Sequence, residues 1–208
     1  MTVTENLLSV LTDPSASLVS AYFDPSQPFA GSTFDTLGDN DPNQLGIDDL
    51  LAVTLLDVSI KPIAMRNILE RDQDEIHRKL VDIGPDTDLW TADPRSLDAA
   101  ADLWQFLRDS YKGIDWVIAG KLLARKRPRL VPIVDSIVVA AVGAETGTYW
   151  ATFSAFLADE SNRAKVEALR PDISNPISTL RLLDVALWMR HSKGRNATAA
   201  RRACGLDA

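Results

Sequence analysis

Apolar residues recur every three or four positions along most of this 208-residue chain, the period of an amphipathic α-helix. The clearest case lies between Leu97 and Tyr111, with Ser96 as a suitable N-cap. No segment keeps the alternation of a β-strand, and no repeat of fixed period occurs. The pattern therefore predicts an all-α fold, a helical bundle.

Capping and breaking residues divide this pattern into elements. Thr2 and Glu5 have the spacing of a capping box. The prolines and glycines of 24–44 predict a long loop, and Asn175 followed by Pro176 favours a core helix starting at Ile177. Later helices are predicted at 115–126, 136–142, 150–157, 163–169, 177–190 and 197–203.

Composition narrows the class of protein. With 46% hydrophobic and 25% charged residues the chain suits a soluble globular protein. It has no apolar run of about 18 residues and no basic N-terminal start, so no membrane contact and a cytoplasmic location are expected. A single cysteine, Cys204, with His77 and His191 gives no metal-ligand spacing. We therefore expect no metal site and no cofactor.

Charge is distributed unevenly. The net charge of −7 is the sum of −13 over 1–115 and +6 over 116–208. Such asymmetry indicates an anionic partner for the basic part, or charges that neutralise each other across the fold. The chain is read as one all-helical domain, 1–208, or as two lobes: an acidic one at 1–94 with the 24–44 loop, and a basic one at 95–208.

One segment, 111–138, combines several features. A helix ends in a tight turn at Gly113, a second helix follows, and a proline-bounded connection leads to Asp135 at the start of a third. Five cations in nine residues suit contacts with a phosphate backbone. Near a helix C-terminus they could instead favour the helix dipole and pair with the acidic half. The five are Lys121, Arg125, Lys126, Arg127 and Arg129.

Two resemblances follow from these residues. From about Ala21 to about His191 the chain resembles a bacterial family of uncharacterised function, common in actinomycetes, marked by this GKLLARKRPRLVPI stretch with an aspartate soon after. More distantly, the segment resembles the helix-hairpin-helix DNA glycosylases, whose catalytic aspartate follows the hairpin glycine by about twenty residues; here the separation is 22. The matching positions are Gly113, Ile114, Ala119, Val134, Asp135, Ser136, Val142 and Gly143.

The glycosylase resemblance implies a helix-hairpin-helix fold, a duplex DNA partner and Asp135 as the catalytic residue. Lys112 and Gly113 would contact a phosphate, and Trp116 or Trp150 would stack on a flipped base. The residues alone equally suit an exposed turn lysine at 112 and tryptophans that pack in the core. Val117 stands where bifunctional members carry a lysine, so the resemblance implies a monofunctional enzyme. One cysteine cannot hold an iron-sulfur cluster.

Two departures favour a different function. Asp115 replaces the second hairpin glycine, and Ile137 replaces the usual histidine. They favour a non-catalytic module on the same scaffold that binds nucleic acid or protein. A third possibility is a partner-neutralising protein, such as an antitoxin or immunity-type protein, whose acidic N-terminal half of net charge −13 meets a basic partner. Asp135 itself also suits a plain helix N-cap. Whether the protein is an enzyme stays open at this point.

Overall fold

A computed structural model of the protein describes residues 2–206, apart from the side chain of Thr146. Within these residues the regular structure is helical, with 12 α-helices and no strand, which confirms the all-α class. None of the helices in this range is long and apolar enough to cross a membrane. The chain divides into two compact units, Thr33–Ile133 and a second that runs up to Ser32 and resumes at Val134. These boundaries differ from the lobe boundary at 94/95 drawn from charge.

The helices follow one another through both units. Three 3-10 turns, Ala30–Thr33, Leu89–Thr91 and Thr146–Thr148, and a π-helical turn, Asn67–Arg71, accompany them. In chain order the α-helices are α1 Val3–Ser9, α2 Asp13–Phe23, α3 Ile47–Thr54, α4 Pro62–Arg66, α5 Gln73–Ile83, α6 Pro94–Ser110, α7 Trp116–Lys126, α8 Ser136–Val142, α9 Tyr149–Ala158, α10 Glu160–Glu167, α11 Thr179–His191 and α12 Arg195–Ala203.

Local capping explains where these helices begin. The predicted capping box is confirmed: Thr2 accepts from the N–H of Glu5 at 3.2 Å, and Glu5 accepts from the N–H of Thr2 at 2.7 Å. The predicted cap Ser96 is wrong, because Asp93 caps α6 instead and a proline occupies its first turn. The predicted start at Ile177 is also wrong, since Ser178 caps α11.

In the unit Thr33–Ile133, α6 packs on both α5 and α7, and α7 also packs on α3. Of the apolar positions predicted for α6, Leu107 is buried, Leu97 and Trp104 are half-buried and Ala101 is exposed. The buried face is instead formed by Ala100, Leu103 and Leu107. At the end of α6 the hydroxyl of Tyr111 donates to Asp72 at 2.9 Å, which ties the turn after α6 to the π-helical segment. This packing fixes the position of α7, which carries the basic residues.

In the other unit, α11 packs on α2, α8, α10 and α12. Nine of its 13 residues are buried, so the prediction of a core helix is confirmed. Two of the buried residues are charged and pair with each other: Arg181 donates to Asp184 at 2.5 Å. Arg181 also donates to the hydroxyl of Tyr22 and the carbonyl of Gly31. These bonds satisfy a charge that would otherwise be costly to bury.

Candidate functional site

Four of the predicted phosphate-binding cations form a buried basic cluster on α7 and its C-cap. Lys121, Arg125, Lys126 and Arg127 are only 1–3% exposed. In the described residues no side-chain nitrogen or oxygen with negligible exposure lacks a hydrogen-bond partner. The cluster is therefore held inside the unit Thr33–Ile133 by specific acceptors.

Asp49 on α3 is the carboxylate that pairs with this cluster. Its Oδ1 accepts from Nε of Arg125 at 3.3 Å, and its Oδ2 pairs with Nζ of Lys126. Burial lowers the pKa of Lys126 below that of a free lysine, and the negative charge of Asp49 opposes that shift. One buried carboxylate thus serves two buried cations.

Several of the other acceptors lie in the long loop predicted at 24–44. Arg125 donates to the carbonyls of Phe34 and Leu37, both at 2.5 Å. Lys126 donates to the carbonyl of Asp41 and to the side-chain oxygen of Asn40. An irregular loop leaves carbonyls without secondary-structure partners, and these cations satisfy them.

Arg127 and Lys121 bind the ends of helices. The guanidinium of Arg127 donates to the carbonyls of Leu80 at 2.7 Å and Gly84 at 2.9 Å, at the C-terminus of α5, and to that of Pro42. Lys121 donates to the carbonyl of Leu56, just beyond α3, at 2.8 Å. Cations at helix C-termini satisfy free carbonyls and favour the helix dipole.

Burial therefore removes Lys121, Arg125, Lys126 and Arg127 from the predicted nucleic-acid surface. A phosphate reaches a cation only where solvent does, and these ammonium and guanidinium groups are enclosed by protein acceptors. The alternative from the sequence, pairing with the acidic half, describes the contacts of Arg125 and Lys126 with Asp49.

Arg129 differs from the four buried cations. Its side chain is 51% exposed and pairs with Asp88 at 2.8 Å. That carboxylate raises the pKa of Arg129, and the backbone N–H of Arg129 donates to Asp86. Arg129 remains available at the surface, although any phosphate would compete with Asp88.

The predicted tight turn joins α6 to α7. Gly113 has φ +99°, a conformation that favours glycine, and the N–H of Ile114 donates to the carbonyl of Tyr111 at 3.0 Å. Lys112 and Gly113 are exposed, whereas Tyr111 and Ile114 are buried. Lys112 and the backbone of Gly113 thus lie at the surface of the unit.

A second lysine, which sequence reasoning missed, lies at the same turn. A Cβ built on Gly113 would lie 2.7 Å from Cδ of Lys61, so the aliphatic stem of Lys61 crosses the glycine. Lys61 precedes α4 and is 52 positions away in the chain, so no local pattern could have placed it there. The glycine at 113 indicates that another part of the chain can approach the turn closely, but it does not predict which side chain does so.

Asp115 occupies the first amides of α7. Its Oδ1 accepts from the N–H groups of Val117 at 3.0 Å and Ile118 at 2.9 Å. These are amides of the kind that hold an anion at an open helix N-terminus. A phosphate at this end of α7 would have to displace or avoid the carboxylate.

Asp135 caps α8. Its Oδ1 accepts from the N–H of Ile137 at 2.9 Å, and the residue is half-buried after the buried Ile133 and Val134. The predicted N-cap is confirmed. Catalysis by the same carboxylate stays a prediction.

The remaining candidates are distributed between the two units. Trp116 in the unit Thr33–Ile133 is half-buried, and its carbonyl accepts from the indole N–H of Trp104 at 3.1 Å. Trp150 is half-buried in the unit that contains Asp135. Among residues 2–206, no group of three or more His, Cys, Asp or Glu side chains is placed to hold a metal ion.

A fully buried tyrosine lies in the same unit as Asp135. Tyr149 is 0% exposed and stacks at 4.5 Å on Phe153. Burial raises the pKa of Tyr149 well above that of a free tyrosine, and the charges of Asp184 and Asp135 raise it further. Because the folded chain resists this ionisation, the group couples stability to alkaline pH.

Tyr149→Phe is expected to make the protein less sensitive to alkali. The folded-state pKa is raised, so the contribution of Tyr149 to stability is fully present below about pH 10, where an unfolded tyrosine ionises, and is lost above it. The difference in unfolding free energy between wild type and variant should fall by about 1.4 kcal/mol per pH unit above about pH 10. Urea unfolding of both proteins from about pH 8 to 11 measures it; parallel pH curves would contradict the assignment.

Comparison with known proteins gives a family but no activity. Neither the curated proteins nor the solved structures contain a significant match to this chain. A family model does match, over residues 15–191, and its description is a family of unknown function. The match confirms the resemblance to an uncharacterised family, and the chain belongs to that family, DUF6308.

Proposed function

We propose that this protein binds duplex DNA and hydrolyses the bond between a base and its deoxyribose, with Asp135 as the catalytic carboxylate. The observation that carries the proposal is the setting of Asp135. One of its oxygens is held by the N–H of Ile137, while the residue remains partly exposed. A carboxylate of fixed orientation on a partly exposed residue is suited to stabilise a developing sugar cation and to orient a water.

The sequence context supports the same reaction. In this proposal α6, the Gly113 turn and α7 form the helix-hairpin-helix, and Asp135 follows Gly113 by 22 residues as in the glycosylases that the segment resembles. Phosphate contact falls to the exposed Lys112, Gly113 and Arg129. With so few exposed cations, binding is expected to be weak and sensitive to salt.

The reaction is a hydrolysis. Asp135 accepts a proton from a water whose oxygen forms a bond to C1′ of the sugar. The glycosidic bond from C1′ to the base nitrogen breaks, and its electron pair leaves with the base, which takes up a proton. Because Val117 offers no amine to the sugar, the product is an abasic site, and the strand breaks only after alkali.

A strand-cleavage assay tests the proposal. Wild type is incubated with duplexes that carry deaminated, alkylated or oxidised bases, and alkali then reveals abasic sites. Asp135→Asn retains a good N-cap and is expected to lose about a hundredfold in rate without a change in Tm. Asp172→Asn removes a charge from an exposed aspartate in the same unit and should leave the rate unchanged.

Two outcomes would overturn the proposal in different ways. No product from any duplex, or a fully active Asp135→Asn, would remove the enzymatic role. If immobilised duplex DNA does not retain the wild-type chain at low salt, the proposal that the protein binds DNA is overturned as well.

A second candidate function is a non-catalytic module that binds a basic protein. The buried basic cluster favours it. The unit Thr33–Ile133 has 18 acidic and 13 basic residues, and burial of Asp49 and the four cluster cations leaves 17 acidic and 9 basic residues outside the interior. Saturable, salt-sensitive binding of an arginine-rich peptide without retention on DNA would favour this function; an acidic peptide is the control.

A further inference from the structure

The surface of the Gly113 turn carries two lysines from separate parts of the chain. Lys112 is adjacent to the glycine, and the stem of Lys61 lies across it, with Cγ and Cε each 3.0 Å from the place of a Cβ. A longer side chain at 113 would push Lys61 away. The glycine therefore permits both the φ of +99° and the approach of the lysine.

Neither lysine side chain takes part in the polar contacts of the described residues. Both are exposed, and within residues 2–206 neither side chain has an ion pair or hydrogen bond. The stem of Lys61 lies against the turn, and the residue as a whole is exposed, as is common for long cationic side chains. The contrast with the buried basic cluster, whose donors are all used, is direct.

The nearby amides do not supply the same attraction. Asp115 already accepts from the N–H groups of Val117 and Ile118. Asp115 lies two positions after Gly113, so an anion at the turn also meets the repulsion of its carboxylate. The attraction must come from the lysines.

We infer that Lys61 and Lys112 together bind a single phosphodiester group at the Gly113 turn, in place of the amides that Asp115 occupies. The inference rests on the proposed binding of DNA, and it assigns to Lys61, outside the hairpin, a role in positioning the backbone. Because both ammonium groups neutralise the same phosphate, the binding energies of the two lysines are coupled.

Equilibrium binding of a labelled duplex to the full chain over a range of salt concentrations tests the inference. Lys61→Gln and Lys112→Gln each remove a charge and keep most of the stem. Each is expected to weaken binding, and the double variant should lower the slope of log affinity against log salt by about 0.9, the value for one phosphate. Lys61→Arg keeps the charge and should bind DNA as the wild type does. Lys165→Gln replaces an exposed lysine of the other unit and should leave DNA binding unchanged.

The outcomes separate this inference from the proposed function. Two results would overturn the shared site alone. In the first, the wild type binds DNA and Lys61→Gln binds it equally well. In the second, the double variant lowers the salt slope by about 1.8, the sum of equal contributions from the two lysines. Absence of wild-type DNA binding would overturn both.

Discussion

Replacing Asp49 with asparagine is expected to lower the free energy of unfolding by about 3–5 kcal/mol. Asp49 is 1% exposed and carries the charge that pairs with both Arg125 and Lys126. Without it the two cations stay buried beside a neutral amide, and uncompensated buried charge is among the costliest effects of a single substitution. Its Oδ2 also accepts from the N–H of Gly46 at 2.8 Å, so the start of α3 loses a carboxylate as well.

Urea unfolding followed by circular dichroism and by tryptophan fluorescence measures this loss. Asp102→Asn is the matched control, because Asp102 is exposed on α6 and its replacement should cost less than about 0.5 kcal/mol. If Asp49→Asn does not fold, adding Lys126→Met should restore a folded chain by removing one unpaired charge. Equal stability of the Asp49 and Asp102 variants would contradict the account of the cluster.

The helices were largely predictable because their signals are local. The predicted bounds 136–142 are those of α8, and the Thr2 and Glu5 capping box forms as expected. Errors arose where two caps competed within a few residues, as with Ser96 and Asp93. Backbone N–H groups near a helix start donate to whichever oxygen the first turn places within reach, and a proline at the first position selects Asp93.

The sequence did not predict that the basic side chains of α7 point into the interior rather than into solvent. A basic segment has the same sequence pattern whether its side chains contact solvent or backbone carbonyls. Which of the two they contact depends on the segments that pack against α7. The sequence contains the two segments that interact. One is the long loop at 24–44, whose carbonyls need donors, and the other is the donor-rich stretch that ends at Arg129. Only the tertiary structure connects Phe34 and Leu37 with Arg125.

The candidate site shows the same division. The turn at Gly113 and the cap at Asp135 depend on neighbouring residues, and both are as predicted. Lys61 reaches the turn from α4 by tertiary packing, so no spacing rule could have included it.

Arg127→Met is expected to lower the free energy of unfolding by about 3–4 kcal/mol, because methionine fills the space but leaves several acceptors unpaired. Arg127 donates to the carbonyls of Leu80, Gly84 and Pro42, to that of Lys126, and to the side-chain oxygen of Asn43. Each buried acceptor left without a donor costs about 1–3 kcal/mol. Burial lowers the pKa of Arg127, so removing its charge recovers part of that cost, which keeps the expected total below the simple sum.

Hydrogen exchange should show where the Arg127 variant loses structure. Amides near the end of α5 and in the loop up to Asn43 are expected to exchange faster than those of α6. The guanidinium joins the first two segments by hydrogen bonds and, among the described residues, makes none with the third. Arg127→Lys should fall between wild type and Arg127→Met, since one ammonium cannot reach acceptors spread around a planar guanidinium. Arg95→Met is the control, an exposed arginine on α6 whose loss should change stability by less than about 0.5 kcal/mol. An Arg127→Met protein as stable as this control would mean that water satisfies those carbonyls equally well, and that the buried basic cluster does not hold the loop.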